Sequence, residues 1–80
     1  MMLSERIEAR RCELGLSRSQ LAAAMTNRGR DTREADIWRW ESGRNAPNLD
    51  ALNDLARALD TTLDFLVNGD VSTTAERAAV

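Results

Sequence analysis

Between Asn48 and Gly69 the chain reads NLDALNDLARALDTTLDFLVNG, and the spacing of its leucines leaves little choice of secondary structure. Leu49, Leu52, Leu55, Ala56 and Leu59 fall three or four apart, which lines them along one face of a helix. Asn48 supplies a side-chain acceptor for the first turn, so the spacing predicts a helix that begins just after it. A shorter helix follows Thr62 and carries Leu63, Leu66 and Val67 to a stop at Asn68-Gly69. No stretch of useful length alternates apolar and polar residues as a half-buried strand would.

The rest of the chain is punctuated in the same way. Ser4 caps a first helix through Leu14, with Leu3, Ile7 and Leu14 on one face and Gly15 as the left-handed residue past its end. Ser17 caps a second helix whose Leu21, Ala22 and Met25 face inward. Asn27, Gly29 and Asp31 mark a loop. Asp31, with Glu34 three residues on, reads as a capping box for a third helix running to about Ser42, and Thr32 is the alternative cap. Gly43 closes that helix, and residues 45–48 form a turn. Ile37 and Trp40 lie three apart and bury against the first and fourth helices, which turns Glu34, Ala35, Trp38 and Arg39 outward. The expectation is an all-α, five-helix domain over residues 1–69. Residues 70–80 form a tail in which Thr73 and Glu76 can cap a further turn or two, with too little apolar surface to fold alone.

A chain of 80 residues makes one small domain, and 42% apolar against 4% aromatic residues makes its core aliphatic. The lone Cys12 rules out an intramolecular disulfide. Without any histidine there is no zinc site, so neither metal nor cofactor is expected. Cys12 reads as a small helix residue in a reducing cytoplasm. No signal-like or bilayer-length apolar run is present, so the expected setting is soluble and cytoplasmic, with no membrane partner. No nucleophile–base pair or phosphate-cradling glycine loop can be assembled, which points away from an enzyme. The net charge of −2 hides a polarity. Residues 1–47 hold nine arginines against seven acids (+2), and residues 48–80 hold two against six (−4). Such a distribution aims one face at phosphate and the other away from it. Every cation is arginine; genomic base composition accounts for that more readily than function does.

The stretches GLSRSQLA, IWRWESGRNAP and LDALNDLARALDTTLDFLVNG, in that order, resemble the helix-turn-helix domain of Cro/C1-type (XRE family) repressors, including those of lambdoid phages. The resemblance covers about Leu3 to Gly69. It implies that the second and third helices form a DNA-binding unit and that the third enters the major groove of double-stranded DNA, as half of a homodimer on a two-fold site. It aligns Glu34, Ala35 and Arg39 with base-reading positions. Arg39 suits guanine O6 and N7, and Glu34 suits cytosine N4 unless its carboxylate serves the capping box instead. Arg18, Ser42 and Arg44 match backbone-contact positions, with the Gly43 amide as a further donor. Glu41 matches an acid that pairs with an arginine of the first helix, here Arg11, as a structural ion pair that orients the third helix.

The sequence departs from the family at two places. Trp38 stands where relatives are polar and near DNA; it either packs under the loop, the favoured reading, or touches a thymine methyl or sugar. About five extra residues centred on NRGRD enlarge the turn between the second and third helices and place Arg28, Arg30 and Arg33 beside the third helix. The turn is then a phosphate or minor-groove clamp, with a tolerated surface insertion as the alternative. The functional expectation is a transcriptional regulator, most readily a repressor of bacterial or phage origin associated with the nucleoid. Its dimer would use an apolar patch of Phe65, Leu66, Val67 and Val71 on the fifth helix and tail, with the core as the alternative claimant of Phe65 and Leu66. The alternative is an antitoxin or other interaction module that holds a protein partner through the acidic C-terminal half.

Overall fold

The computed structural model describes residues 2–69, which form α1 (Leu3–Glu13), α2 (Arg18–Asn27), α3 (Glu34–Glu41), α4 (Leu49–Ala58) and α5 (Leu63–Asn68), with no strand among them. Thr73, Glu76 and Val71 lie outside the described residues. None of these helices is long and apolar enough to cross a membrane.

Side-chain caps start three helices as their residue types dictate. Ser17 Oγ accepts from the Gln20 amide at 3.0 Å, and the Gln20 side chain accepts in turn from the Ser17 amide at 2.8 Å. Asn48 Oδ1 accepts from Ala51 and Thr62 Oγ1 from Phe65. Two expected boundaries shift. In α1 the cap is Met2, whose amide donates to Glu5 Oε1 at 2.9 Å, so Ser4 lies within the first turn and Leu14 is the exposed residue closing the helix. In α3 the cap is Arg33, whose amide donates to Asp36 Oδ2 at 3.0 Å; neither Asp31 nor Thr32 caps it.

The reason lies in the turn. Thr32 is buried, its amide donates to Thr26 Oγ1 at 3.1 Å, and its hydroxyl donates to the Arg30 carbonyl at 2.9 Å. These bonds hold residue 32 in the turn, so helical backbone begins only after Arg33.

The first four helices also end alike. The amide two residues past each cap donates back into the last turn: Leu16 to Arg11, Arg30 to Met25, Arg44 to Arg39 and Thr61 to Ala56, at 2.9–3.1 Å. This ending requires one residue with positive φ. Glycine supplies it three times, and at the end of α4 Asp60 does so at φ 51°.

Ile7, Leu21, Met25, Ile37, Leu55, Leu59 and Leu66 are fully buried in one core, with Leu3, Trp40, Ala58 and Phe65 packed against it. Truncating one of its leucines or isoleucines to alanine would cost about 2–5 kcal/mol. α3 packs chiefly against α1 and α2, with Ile37 in the same core as Leu55 and Ala56 of α4, while α4 packs on α2 and α5, and α5 on α1. Leu49 is 66% exposed. The buried stripe of α4 runs through Leu52, Leu55 and Leu59, and residue 49 sits roughly a quarter-turn off it. Leu66 belongs to the core and so cannot face a second copy, whereas Val67 remains exposed.

Two arginines of α1 bind the far end of the chain. Arg6 donates to the carbonyls of Leu66 and Val67 at 2.7 and 2.6 Å, and Arg10 to those of Leu59 and Asp60 at 2.9 and 3.0 Å. Each guanidinium satisfies carbonyls left over at a helix C-terminus and sits at the negative end of its dipole. Much of the basic charge of the N-terminal half therefore holds the fold together.

Candidate nucleic-acid interface

Glu41, at the end of α3, has a side chain only 2% exposed and accepts three guanidinium bonds. Arg11 supplies two, from Nε to Oε2 at 2.6 Å and from Nη2 to Oε1 at 3.1 Å; Arg18 supplies the third, from Nε to Oε1 at 2.9 Å. Arg11 Nη1 also donates to the Leu16 carbonyl at 2.8 Å. One carboxylate thus joins α1, the turn after it, the start of α2 and the end of α3. The hydrogen bonds to Glu41 raise the Arg11 pKa above its already high value against an opposing effect of burial. A raised pKa in the folded state adds stability at every pH below the ordinary arginine value, and that contribution is lost only in strong alkali.

Arg18 plays a part that its place in the sequence does not announce. Its guanidinium is about a third exposed and lies at the start of α2, yet Nε is committed to Glu41 and Nη2 stands 3.8 Å from Glu8.

On α3, Ile37 and Glu41 are buried one turn apart, and this fixes which face looks out. Glu34, Ala35, Trp38 and Arg39 are exposed. Because Asp36 completes the capping box, the Glu34 carboxylate is released from it, and Glu34 has no hydrogen-bond or ion-pair partner among the described residues. Arg39 makes only an exposed contact with Asp36 at 3.3 Å.

Trp38 does not pack under the enlarged turn as expected. The residue is 42% exposed, and Arg44 lies over its ring with the guanidinium carbon 5.0 Å from the ring centre. Arg18, Glu34, Ala35 and Trp38 line a shallow depression between α2 and α3. Ser42 Oγ donates to the Arg39 carbonyl at 3.2 Å, which fixes the hydroxyl at the rim of the same face.

The enlarged turn separates the three arginines expected to act together. Arg30 Nε donates to Asp54 Oδ2 of α4 at 2.7 Å, so this residue pins the turn to the body of the domain. The Thr26–Thr32 bonds, with the Thr26 hydroxyl 3.1 Å from the Thr32 carbonyl, hold its other side. Arg28 and Arg33 are exposed, and their guanidinium groups have no partner among the described residues.

No family model and no curated protein matches the sequence. Among solved structures, the chain is similar to the P22 c2 repressor crystallised in complex with the synthetic operator 9T in the presence of Tl+. The two share 30% identity over 88% of this chain and 98% of that one, with a TM-score of 0.77.

Proposed function

Because the chain belongs to the Cro/C1-type helix-turn-helix repressor family, we propose that it is a sequence-specific DNA-binding transcriptional regulator that represses by occupying a palindromic operator. Residues 1–69 form the DNA-binding domain and residues 70–80 a tail. α3 enters the major groove, Glu34, Ala35, Trp38 and Arg39 face the bases, and Arg18, Arg28, Arg33, Ser42 and Arg44 hold the sugar-phosphate backbone. Arg30 lies outside this set because Asp54 engages it.

The observation that supports the reading is the division of α3. Its inner face is locked by Ile37 and by Glu41 between two arginines, and its outer face presents an unpartnered carboxylate, an exposed indole and an exposed guanidinium. In a fold shared with an operator-bound repressor, that is the chemistry base edges require. Two copies would share one two-fold site on the DNA, in the cytoplasm. Val67, exposed on α5, is an apolar residue available to a dimer contact.

The test is selection from random duplex DNA with the purified protein at physiological salt. A recovered palindrome with half-sites about one helical turn apart supports the reading. Recovery of no motif, or of binding that salt abolishes on every sequence alike, overturns it. The fold would then be serving a protein partner, the antitoxin-like role.

A further inference from the structure

Glu8 belongs neither to the core nor to a helix cap. Its carboxylate, about half exposed, lies 3.8 Å from Arg18 Nη2 and 4.0 Å from Arg11 Nη2. Both distances are beyond hydrogen-bond length, so Glu8 holds these partners by charge alone. Arg18 therefore serves two anions on unequal terms. Glu41 is nearly sealed from solvent and takes Nε at 2.9 Å, which makes it a permanent partner. Glu8 is the outer anion, loosely held and open to water. Arg18 also lines the depression it shares with Glu34, Ala35 and Trp38, on the side of the domain to which α3 turns its outer face. A DNA phosphate arriving there meets a guanidinium whose Nη2 already has a carboxylate beside it.

Resting on the DNA-binding reading above, we propose that Glu8 is an internal competitor of the DNA phosphate for Arg18. On binding, phosphate displaces the carboxylate from Nη2 while Nε stays on Glu41, and Arg11, one turn along α1, retains Glu8. The exchange runs this way because a phosphate oxygen makes a charge-assisted hydrogen bond with the guanidinium, which Glu8 does not. Its cost is an exposed ion pair together with the repulsion between the carboxylate and the incoming phosphate. Phosphates carry no sequence information, so that cost falls on every duplex alike. Glu8 thus lowers the affinity of the whole interface without altering which bases it prefers, and it acts through Arg18 without touching DNA.

The experiment compares the full chain with Glu8→Gln, Arg18→Gln and the double variant, on the operator recovered by selection and on an unrelated duplex of equal length. Glu8→Gln keeps the size of the side chain and removes only its charge. It should bind both duplexes about two- to fivefold more tightly at low salt, the worth of an exposed ion pair. The gain should shrink as salt screens the carboxylate. In the Arg18→Gln background the same change should lose most of its effect, since the guanidinium for which carboxylate and phosphate compete is gone. Unchanged or lowered affinity in Glu8→Gln overturns the proposal. So does a gain that persists in full in the double variant, which would mark plain repulsion of DNA by an acidic side chain. A gain confined to the operator overturns it as well. In each of these cases sequence-specific binding stands. Failure to select any motif overturns the DNA-binding reading, and this proposal with it.

Discussion

Arg11 and Glu41 meet as a two-pronged pair, with guanidinium Nε and Nη2 at 2.6 and 3.1 Å from the two carboxylate oxygens, thirty residues apart in the chain. Arg18 adds a third bond from a more exposed position. The three contacts therefore differ in worth. Glu41→Ala leaves a largely buried guanidinium without its anion and is expected to cost about 3–5 kcal/mol, whereas Arg18→Ala should cost less than about 1 kcal/mol. Equilibrium unfolding in urea measures both. Equal losses for Arg18→Ala and Arg11→Ala would contradict this ranking.

Orientation and stability are separable at the same pair. A double replacement, Arg11→Met with Glu41→Leu, removes both charges and should leave unfolding within about 1 kcal/mol of the parent, because apolar packing offsets the missing pair. DNA affinity should nevertheless fall several-fold, since apolar contacts without the directional carboxylate bonds then set the angle of α3. Unchanged affinity in a stable double variant would mean that the pair does not orient the helix.

Asp60 holds a left-handed backbone that its neighbours at the other helix ends leave to glycine. Its side chain is not what the site needs; its carbonyl, which accepts from Arg10, is. Asp60→Gly should therefore be more stable than Asp60→Val by about 1–2 kcal/mol, with the parent between them. A thermal melt that ranks valine above glycine would refute this backbone requirement.

Arg39 and the exposed arginines should give different signatures in binding. Arg39→Ala is expected to relax base preference at one position per half-site, by about 1–3 kcal/mol, when the selection is repeated with the variant. Arg28→Ala, Arg33→Ala and Arg44→Ala should weaken binding to all sequences. Each should also lower the slope of log affinity against log salt by about 1 for every phosphate left unneutralised. An unaltered recovered motif with Arg39→Ala would remove that residue from the base-reading set.

Arg30 provides the contrast within the enlarged turn. Its carboxylate partner on α4 predicts that Arg30→Ala lowers stability modestly, by up to about 1 kcal/mol for a pair as exposed as this one, and leaves the salt slope unchanged. A slope reduced as much as by Arg28→Ala would return Arg30 to the DNA-facing set.

The helices and their inward faces are legible in the sequence because caps, glycines and three-to-four spacing are local signals. The outward face of α3 is legible for the same reason, once Ile37 fixes the buried side. What cannot be read is what depends on contacts made at a distance. The start of α3 shifts to Arg33 because Thr26 engages Thr32, six residues on, and draws it into the turn. Arg30 looks like its neighbours until folding brings Asp54 beside it. Arg6 and Arg10 have no visible role in the sequence, since their partners are backbone carbonyls 60 and 49 residues away, and a carbonyl carries no residue-type signature. Their placement one turn apart on α1 is the only available hint. Trp38 misleads because an indole is assumed to seek cover, and Arg44 shields it without burying it.

The grip of Arg6 on Leu66 and Val67 also sets a timetable for synthesis. A ribosome has delivered all of α3 by Glu41, yet the clasp that completes α1 waits for Val67 to emerge. A chain broken off between those points has α3 complete while α1 still lacks its partners on α5. Its apolar stripes stay uncovered, and such chains are the ones that proteases remove first. Closing the described fold with α5 means that α1 is fully tied down only once the chain has been made as far as Val67.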